Sequence, residues 1–339
     1  MNPVFIYTLV SLGGTAFLFG AALAFASKRF AVEVDPRVEQ VREILPGANC
    51  GGCGYAGCAA YAEAIVRDGI HATLCSPGGP KVAQLIARLL GREEIHTVRK
   101  VAYLYCAGSK DKAQDKYTYD GIEDCRVAAL IAGGPKACDY GCIGLGSCVE
   151  ACMFDALSMD DDGLPVVDRK KCTACGACVR TCPKNLFELL PDTCMIFLAC
   201  SSHDRAKAVK DVCSVGCIGC GICAKVTEGN AVEMKDNLPT VKYDESPNLI
   251  LAHYKCPTHS YIDLAPKRPY MNIDKNKCTG QGKCSDICPV KGCVIGEPGN
   301  IHHIDPEKCI GCGLCVGVCP EKAIRVVGAM GYVNMDMSR

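Results

Sequence analysis

The sequence predicts an α+β protein in which one apolar N-terminal helix precedes a small cysteine-rich domain and three compact modules. Three observations indicate this organisation: an uncharged apolar segment at the start, 29 cysteines in 339 residues, and a cysteine pattern that recurs along the body. Lys and Arg total 37, as do Asp and Glu, so the formal net charge is zero. This balance argues against nucleic acid as a partner, because nucleic-acid binding calls for a basic surface.

The N-terminal segment is predicted to cross a lipid bilayer once. Residues 4–27 contain no charged side chain, and a helix of that length can span a hydrocarbon core about 30 Å thick. A cleaved signal peptide is the alternative, since residues 24–26 resemble a cleavage site, but no basic residue precedes the apolar run and Lys28-Arg29 follows it. Basic residues stay on the cytoplasmic side, so we expect residues 1–29 to anchor a cytoplasmic body in the cell inner membrane.

The cysteines of the body fall mostly in tight groups, which suits a shared metal centre better than disulfide bonds between distant strands. Such thiolate centres need a reducing compartment, in agreement with a cytoplasmic body. The first group lies in a predicted domain over residues 30–100, where glycines let the backbone pass close to an inorganic core. Its four thiols fit one four-iron cluster, with zinc as the alternative. They are Cys50, Cys53, Cys58 and Cys75.

Three further segments repeat the pattern Cys-x2-Cys-x2-Cys-x3-Cys-Pro of bacterial two-cluster ferredoxins. In those proteins the fourth cysteine of each run ligates the cluster built mainly by the other run. We therefore predict three ferredoxin-like modules, over residues 101–200, 201–268 and 269–339. Each should contain short hairpins and helices, such as a hairpin over residues 156–167 that turns at 160–163.

The first module has a complete second run, but its first run carries Leu145 in place of the second ligand. Cys138, four residues before Cys142, is the predicted substitute. Crossing then predicts two four-iron clusters. Their ligand sets are Cys138, Cys142, Cys148 and Cys182 for one, and Cys152, Cys172, Cys175 and Cys178 for the other.

The second module is predicted to have lost one whole cluster. Thr227 stands where a fourth cysteine belongs, and counting back from Cys256-Pro257 puts Ser246, Leu249 and Ala252 at three more ligand positions. These four positions form one crossed set, so the surviving thiols form the other set complete. The survivors are Cys217, Cys220, Cys223 and Cys256.

The third module combines a complete set with an incomplete one. Gln281 replaces the second thiolate of the incomplete set, which forms either a three-iron cluster or a four-iron cluster completed by Cys293. Spacing leaves both open, and our preferred prediction is that Cys293 is not a ligand. The complete set is Cys288, Cys309, Cys312 and Cys315, and the incomplete set is Cys278, Cys284 and Cys319. With the other sets, this makes five four-iron clusters and one further cluster.

The remaining residues predict no catalytic chemistry. The chain has no glycine fingerprint for a dinucleotide, and His302-His303 are interpreted as packing or surface residues. The unassigned cysteines are interpreted as buried structural thiols, the alternative being a further ligand set that includes Cys200 and Cys213. They are Cys106, Cys125, Cys194, Cys200 and Cys213.

The order of these features resembles the iron–sulfur B subunits of Rnf complexes, the ion-pumping ferredoxin:NAD oxidoreductases of bacterial membranes. The resemblance rests on the single anchor, the Cys50-to-Cys75 unit, and the stretches 141–148 and 213–220. It implies a translocase subunit that only transfers electrons, from soluble ferredoxin to other Rnf subunits in the membrane, with NAD reduced elsewhere. Because the second module has lost a cluster, the family's cluster count is not carried over. A polyferredoxin subunit of a membrane-bound hydrogenase or formate dehydrogenase is the alternative.

Overall fold

The computed structural model describes residues 3–29, 35–93, 98–265 and 268–328. Its helices are α1 (Pro3–Arg29), α2 (Pro36–Ile44), α3 (Cys58–Arg67), α4 (Gly79–Leu89), α5 (Cys125–Leu130), α6 (Ser147–Glu150), α7 (Ala177–Thr181), α8 (Ala206–Val212), α9 (Ile222–Val226), α10 (Ile250–Lys255), α11 (Lys283–Ile287) and α12 (Leu314–Val318). Its strands are β1 (Lys100–Leu104), β2 (Leu157–Met159), β3 (Pro165–Val167), β4 (Phe187–Pro191), β5 (Ile196–Leu198), β6 (Val232–Lys235), β7 (Leu238–Val241), β8 (Tyr261–Asp263), β9 (Tyr270–Ile273), β10 (Val294–Ile295), β11 (His303–Ile304) and β12 (Ile324–Val327).

Helix α1 covers the predicted anchor and carries basic residues only in its last turn, Lys28 and Arg29. The side chains of residues 3–6 and 8–10, which belong to that prediction, lie outside the described residues. In the part of the chain that the structure describes, no helix is both long and apolar enough to cross a membrane.

The N-terminal domain is a small helical unit built from α2, α3 and α4. Asp35 precedes helix α2 and caps it, because its carboxylate accepts a hydrogen bond from the backbone N–H of Arg37 (2.9 Å). Val41, Ile65 and Ile86, one from each helix, are completely buried and form the centre of its core. This packing fixes the loop before α3, where the first cysteines lie.

Each of the three modules consists of an outer strand pair and an inner hairpin. The outer pair joins the strand before the first cysteine run to the strand after the second, and all pairs are antiparallel. The outer pairs are β1–β4, β5–β8 and β9–β12, and the inner hairpins are β2–β3, β6–β7 and β10–β11. The hairpin predicted in the first module is confirmed, with Leu157 opposite Val167 and Met159 opposite Pro165.

The modules are not independent along the chain. Strand β5, which lies before the predicted boundary at residue 200, pairs with β8 near the end of the second module. A further bridge joins Ala113 of the first module to Cys213. Residues 194–216 therefore connect the two modules rather than dividing them.

The positions of the predicted lost cluster are occupied by ordinary packing. Leu249 and Ala252 are buried, at 3% and 1% exposed, within a core that includes Tyr243 and Tyr261. Thr227 is also buried, and its hydroxyl has no hydrogen-bond partner among the described residues. Leu249 and Ala252 therefore belong to the apolar core of the second module.

Candidate iron–sulfur centres

The N-terminal domain brings its four predicted ligands together. Cys50, Cys53, Cys58 and Cys75 line one cavity of about 320 Å³. The backbone N–H of Cys58 donates to Asn49 Oδ1 (2.8 Å), which holds the start of α3 against the loop. The 3₁₀ turn at Ala72–Leu74 then delivers Cys75 from the other side.

The N-terminal cavity lies beside the first module. A Cβ atom at Gly52 would come within 2.7 Å of the carbonyl oxygen of Cys175, so only glycine allows the two loops to approach this closely. Burial, followed by the nearby thiols of Cys50, Cys152 and Cys172, raises the pKa of Cys175. The N-terminal ligand set and the set that contains Cys175 are therefore neighbours in space.

In the first module, Cys125 takes the place that the sequence assigned to Cys138. A cavity of about 370 Å³ is lined by Cys142, Cys148 and Cys182 together with Cys125, and Cys138 does not line it. Burial raises the pKa of Cys148 to about 11, with Cys125 and Cys182 as the next contributors. In this structure Cys125, and not the predicted Cys138, lines the cavity with the other three predicted ligands.

A hydrogen-bonded helix start explains the position of Cys125. Asp124 caps α5 by accepting from the N–H of Arg126 (2.7 Å). The Ser147 hydroxyl accepts from the N–H of Cys125 (2.7 Å) and lies 3.3 Å from the Asp124 carboxylate. Because Ser147 precedes Cys148, these bonds place the Cys125 thiol next to that ligand, although 23 residues separate them. Local spacing carries no signal for this contact.

The four cysteines of the other predicted set in the first module lie near one another. Cys152 and Cys172 each accept a backbone hydrogen bond at 3.4 Å, from Ala156 and Ala102 respectively. Burial raises the pKa of Cys178 to about 12, and the thiols of Cys172 and Cys175 add to the effect. The fourth cysteine of the first run therefore lies with three cysteines of the second run.

The second module also groups its four surviving thiols. Burial, and then the thiols of Cys200, Cys223 and Cys256, raises the pKa of Cys217 to about 12. Cys220 is the exposed member and adds to the raised pKa of buried Cys223. Cys256 accepts from the N–H of Ser260 (3.3 Å). Cys200 also lies close to Cys217, although it is not one of the four predicted ligands.

The third module places its two sets at separate points. Burial, and then Cys312, Cys309 and Cys288, raises the pKa of Cys315 to about 12. The incomplete set, Cys278, Cys284 and Cys319, lines a cavity of about 350 Å³, on which Gln281 also lies.

Cys293 lies beside the complete set, near Cys288 and Cys309. It is 2% exposed, does not line the incomplete set's cavity, and its Sγ lies 3.9 Å from the carbonyl oxygen of Asp305. Burial, together with Cys288 and Cys309, raises the pKa of its thiol to about 12. This placement accords with the prediction that Cys293 is not the missing ligand.

His302, interpreted from the sequence as a packing or surface residue, lies at the incomplete site. It is 2% exposed, lines the cavity with the three cysteines, and its Nδ1 has no hydrogen-bond partner among the described residues. Its neighbour His303 is exposed. His302 directly precedes β11, and nothing in the local sequence pattern signals that it lines the cavity.

The donor chemistry of these sites fits iron–sulfur clusters. All 29 cysteines are free thiols, and several predicted ligands accept backbone N–H groups, the bonds that stabilise cluster sulfurs and tune their potential. Cys309 and Cys319 accept from Met271 and Ala323 at 3.4 Å, like the ligands described above. Within the described ranges, no group of three or more His, Cys, Asp or Glu side chains is arranged to hold a single metal ion. The thiols instead surround cavities.

Three known iron–sulfur families match cysteine-rich parts of the chain. An Fe-S cluster family matches residues 45–77. A 4Fe-4S dicluster domain family matches residues 140–186 and 216–292, and a 4Fe-4S binding domain family matches residues 302–325.

Curated relatives are similar over most of the chain. The B subunit of the ion-translocating oxidoreductase complex of Methanosarcina acetivorans is 39% identical over 86% of this chain and 98% of its own length. The B subunit of the proton-translocating ferredoxin:NAD(+) oxidoreductase complex of Clostridium ljungdahlii is 43% identical over 82% of this chain and 98% of its own. The Na(+)-translocating counterpart of Acetobacterium woodii is 39% identical over 73% and 74%.

Ferredoxin-like modules with grouped thiols define an iron–sulfur electron-transfer protein that holds multiple four-iron clusters. The family follows from the relatives, two of which are matched over nearly their whole length. The chain belongs to the B subunits of the ion-translocating ferredoxin:NAD oxidoreductase (Rnf) complexes, and it is the electron-transfer subunit of that membrane-bound enzyme.

Proposed function

We propose that this subunit takes electrons directly from reduced soluble ferredoxin and relays them through a chain of clusters to membrane subunits of the complex. The observation that carries the proposal is the crossed grouping of thiols, repeated in every module. When bound, each cluster takes up and releases one electron. The side chains of the protein hold the clusters, exclude water and donate N–H groups to the sulfurs.

The proposed ligand sets follow the sequence, with Cys125 in place of Cys138 in the first module. Five sets hold four-iron clusters, and the set of Cys278, Cys284 and Cys319 holds a three-iron cluster. The complete sets are Cys50, Cys53, Cys58 and Cys75; Cys125, Cys142, Cys148 and Cys182; Cys152, Cys172, Cys175 and Cys178; Cys217, Cys220, Cys223 and Cys256; and Cys288, Cys309, Cys312 and Cys315.

Contacts between sets support a relay that follows the chain. The N-terminal set contacts the set that contains Cys175 at Gly52. The set that contains Cys142 lies in the same module as Cys175. At the other end, the Asn248 side-chain amide donates to the carbonyl oxygen of Cys312 (3.4 Å), which joins the second module to the third. These contacts place the N-terminal set beside the first module and the second module beside the third.

Iron analysis and titration with ferredoxin test this function. Anaerobically purified chain is expected to contain at least about 23 iron atoms and about 24 sulfide ions, the amounts that these six sets hold. Reduced ferredoxin should bleach its visible absorption, because the clusters accept electrons. Zinc in place of iron, or a fully loaded chain that ferredoxin leaves oxidised, would contradict the proposal.

In this proposal residues 4–27 form a single-pass membrane anchor, and the cysteine-rich body lies on the cytoplasmic side. Large apolar side chains of α1 support it, because Leu12, Phe17 and Phe25 are each more than 70% exposed and nothing in the described chain covers them. The five predicted domain segments are retained, with β5 assigned by pairing to the second module.

Deletion of residues 1–29 tests the anchor. Expressed without the other subunits, the truncated chain is expected in the soluble fraction with the iron content of the full chain, because the segment contributes no ligand. Fractionation with iron analysis measures both quantities. Retention of the truncated chain in the membrane, or loss of iron from it, would show that the anchor is assigned wrongly.

A further inference from the structure

A fourth thiol cavity lies between the first and second modules and belongs to none of the sets above. It measures about 440 Å³ and is lined by four cysteines from four separate segments. They are Cys106 after β1, Cys138 before the first run, Cys200 after β5, and Cys213 at the end of α8. We propose that these four cysteines bind a seventh cluster, of the four-iron type, which rests on the proposed function of the chain as a cluster relay.

The four sulfurs converge on this cavity. A Cβ atom at Gly108 would lie 3.6 Å from the Sγ of Cys106 and 3.6 Å from the Sγ of Cys213, so these sulfurs are at most twice that distance apart. Burial raises the pKa of Cys138 to about 11, and the thiols that add to this rise are Cys200, Cys106 and Cys213. The cavity is also as large as those lined by the predicted sets.

The surrounding backbone is arranged as it is around the predicted ligands. The N–H of Cys142 donates to the Sγ of Cys106 (3.4 Å), and the N–H of Cys217 donates to the Sγ of Cys200 (3.2 Å). A second N–H, from Ser202, reaches Cys200 at 3.5 Å. These donors favour a thiolate over a neutral thiol, and so favour a metal-bound sulfur.

A buried cation adds to this preference. Lys136 is 8% exposed and forms an ion pair with Asp115 (3.3 Å). It lies two residues before Cys138, next to the thiol cavity. A site with four thiolates carries net negative charge, which a buried lysine offsets.

The two cysteines left outside every set are held differently. The Sγ of Cys194 lies 4.0 Å from the carbonyl oxygen of Tyr243, and that of Cys293 lies near a carbonyl as described above. The ligand Cys288 also has a carbonyl contact, to Val290 at 3.4 Å, so this contact alone does not exclude ligation. Cys194 differs from the four proposed ligands because it lines neither this cavity nor the three thiol cavities described above.

The position of the site gives the seventh cluster its role. Two of the three N–H donors are those of Cys142 and Cys217, which are proposed ligands in the sets on either side. A four-iron cluster held by these cysteines would accept one electron from a reduced cluster on one side and pass it to an oxidised cluster on the other. No bond is made or broken and no proton moves. The site therefore joins the clusters of the first module to that of the second.

Iron counts of alanine variants of the full chain test the proposal. Cys200→Ala is expected to lose about four iron and four sulfide per chain. The matched control is Cys194→Ala, because Cys194 and Cys200 are both 8% exposed and lie in the same segment. The control should keep the iron content of the wild type. Equal iron in Cys200→Ala and the wild type would overturn the proposal.

Double variants separate ligand loss from general damage to the fold. Cys138→Ala with Cys200→Ala should lose no more iron than Cys200→Ala alone, because both residues serve one cluster. Cys125→Ala with Cys200→Ala should lose about twice as much, since Cys125 serves another. Additive losses for the first pair would overturn the assignment, as would one zinc per chain that disappears with Cys200→Ala while iron is unchanged. Wild-type chain without any iron would instead contradict the proposed function.

Discussion

Cys256→Ala is expected to remove about four iron atoms per chain, the same cluster that Cys220→Ala removes, although 36 residues separate the two positions. The expectation rests on the crossed geometry of the second module. Cys256 ends α10, and its thiol contributes with Cys223 to the raised pKa of Cys217. Because this module keeps only one cluster, its loss should interrupt the relay between the first and third modules.

Iron analysis and EPR of the reduced chain measure the effect. The two single variants and the double variant should all lose the same signal and the same amount of iron. Thr227→Ala is the matched control, since Thr227 occupies a ligand position of the lost cluster and its buried hydroxyl has no partner among the described residues. It should leave the iron content unchanged. Loss of different signals from Cys220→Ala and Cys256→Ala would refute the crossed assignment.

Gln281→Cys is expected to convert the incomplete site of the third module from a three-iron into a stable four-iron cluster. Wild-type chain exposed to air should show the EPR signal of a three-iron cluster, because only Cys278, Cys284 and Cys319 supply thiols to this cavity. Gln281 is exposed and occupies the position of the missing ligand. The substitution should abolish the signal and add about one iron per chain.

Two controls identify the fourth ligand if the wild type lacks the three-iron signal. Cys293→Ala should change nothing at this site, since Cys293 lies with Cys288 and Cys309. His302→Leu should also leave the signal in place, although His302 lines the cavity. A three-iron signal that appears only in Cys293→Ala or only in His302→Leu would identify that residue as the ligand and refute the prediction.

The change would alter the potential of the site rather than the number of electrons. A three-iron and a four-iron centre each carry one electron, so the relay remains continuous in both forms. The potential decides whether this terminal cluster passes electrons on or retains them. Redox titration of the wild type and Gln281→Cys would measure that difference.

The runs of closely spaced cysteines could be predicted from the sequence because their ligand geometry is local. Two residues between cysteines, with a glycine in a left-handed turn before each short helix, suffice to direct thiols toward one centre. Gly176 and Gly313 have this conformation, at φ 75° and 79°. The hairpin of the first module was likewise predictable from alternation and turn residues.

The sequence predicts the loss of a whole cluster in the second module because four ligand positions lack cysteine together. Thr227, Leu249 and Ala252 lie in one crossed set, and the structure shows the latter two buried in an apolar core. Four ligand positions of one crossed set that all lack cysteine indicate the loss of one shared site rather than four unrelated substitutions.

Only the tertiary structure decided which distant thiols complete the irregular sets. Spacing favoured Cys138 for the first module, yet the hydrogen bonds of Asp124 and Ser147 bring Cys125 there instead. Pairing of β5 with β8 and the bridge at Ala113 carry Cys200 and Cys213 to Cys138. The physical reason is that a ligand within a run is positioned by its own turn, whereas a ligand outside a run is positioned by strand pairing and helix capping between segments far apart in the sequence.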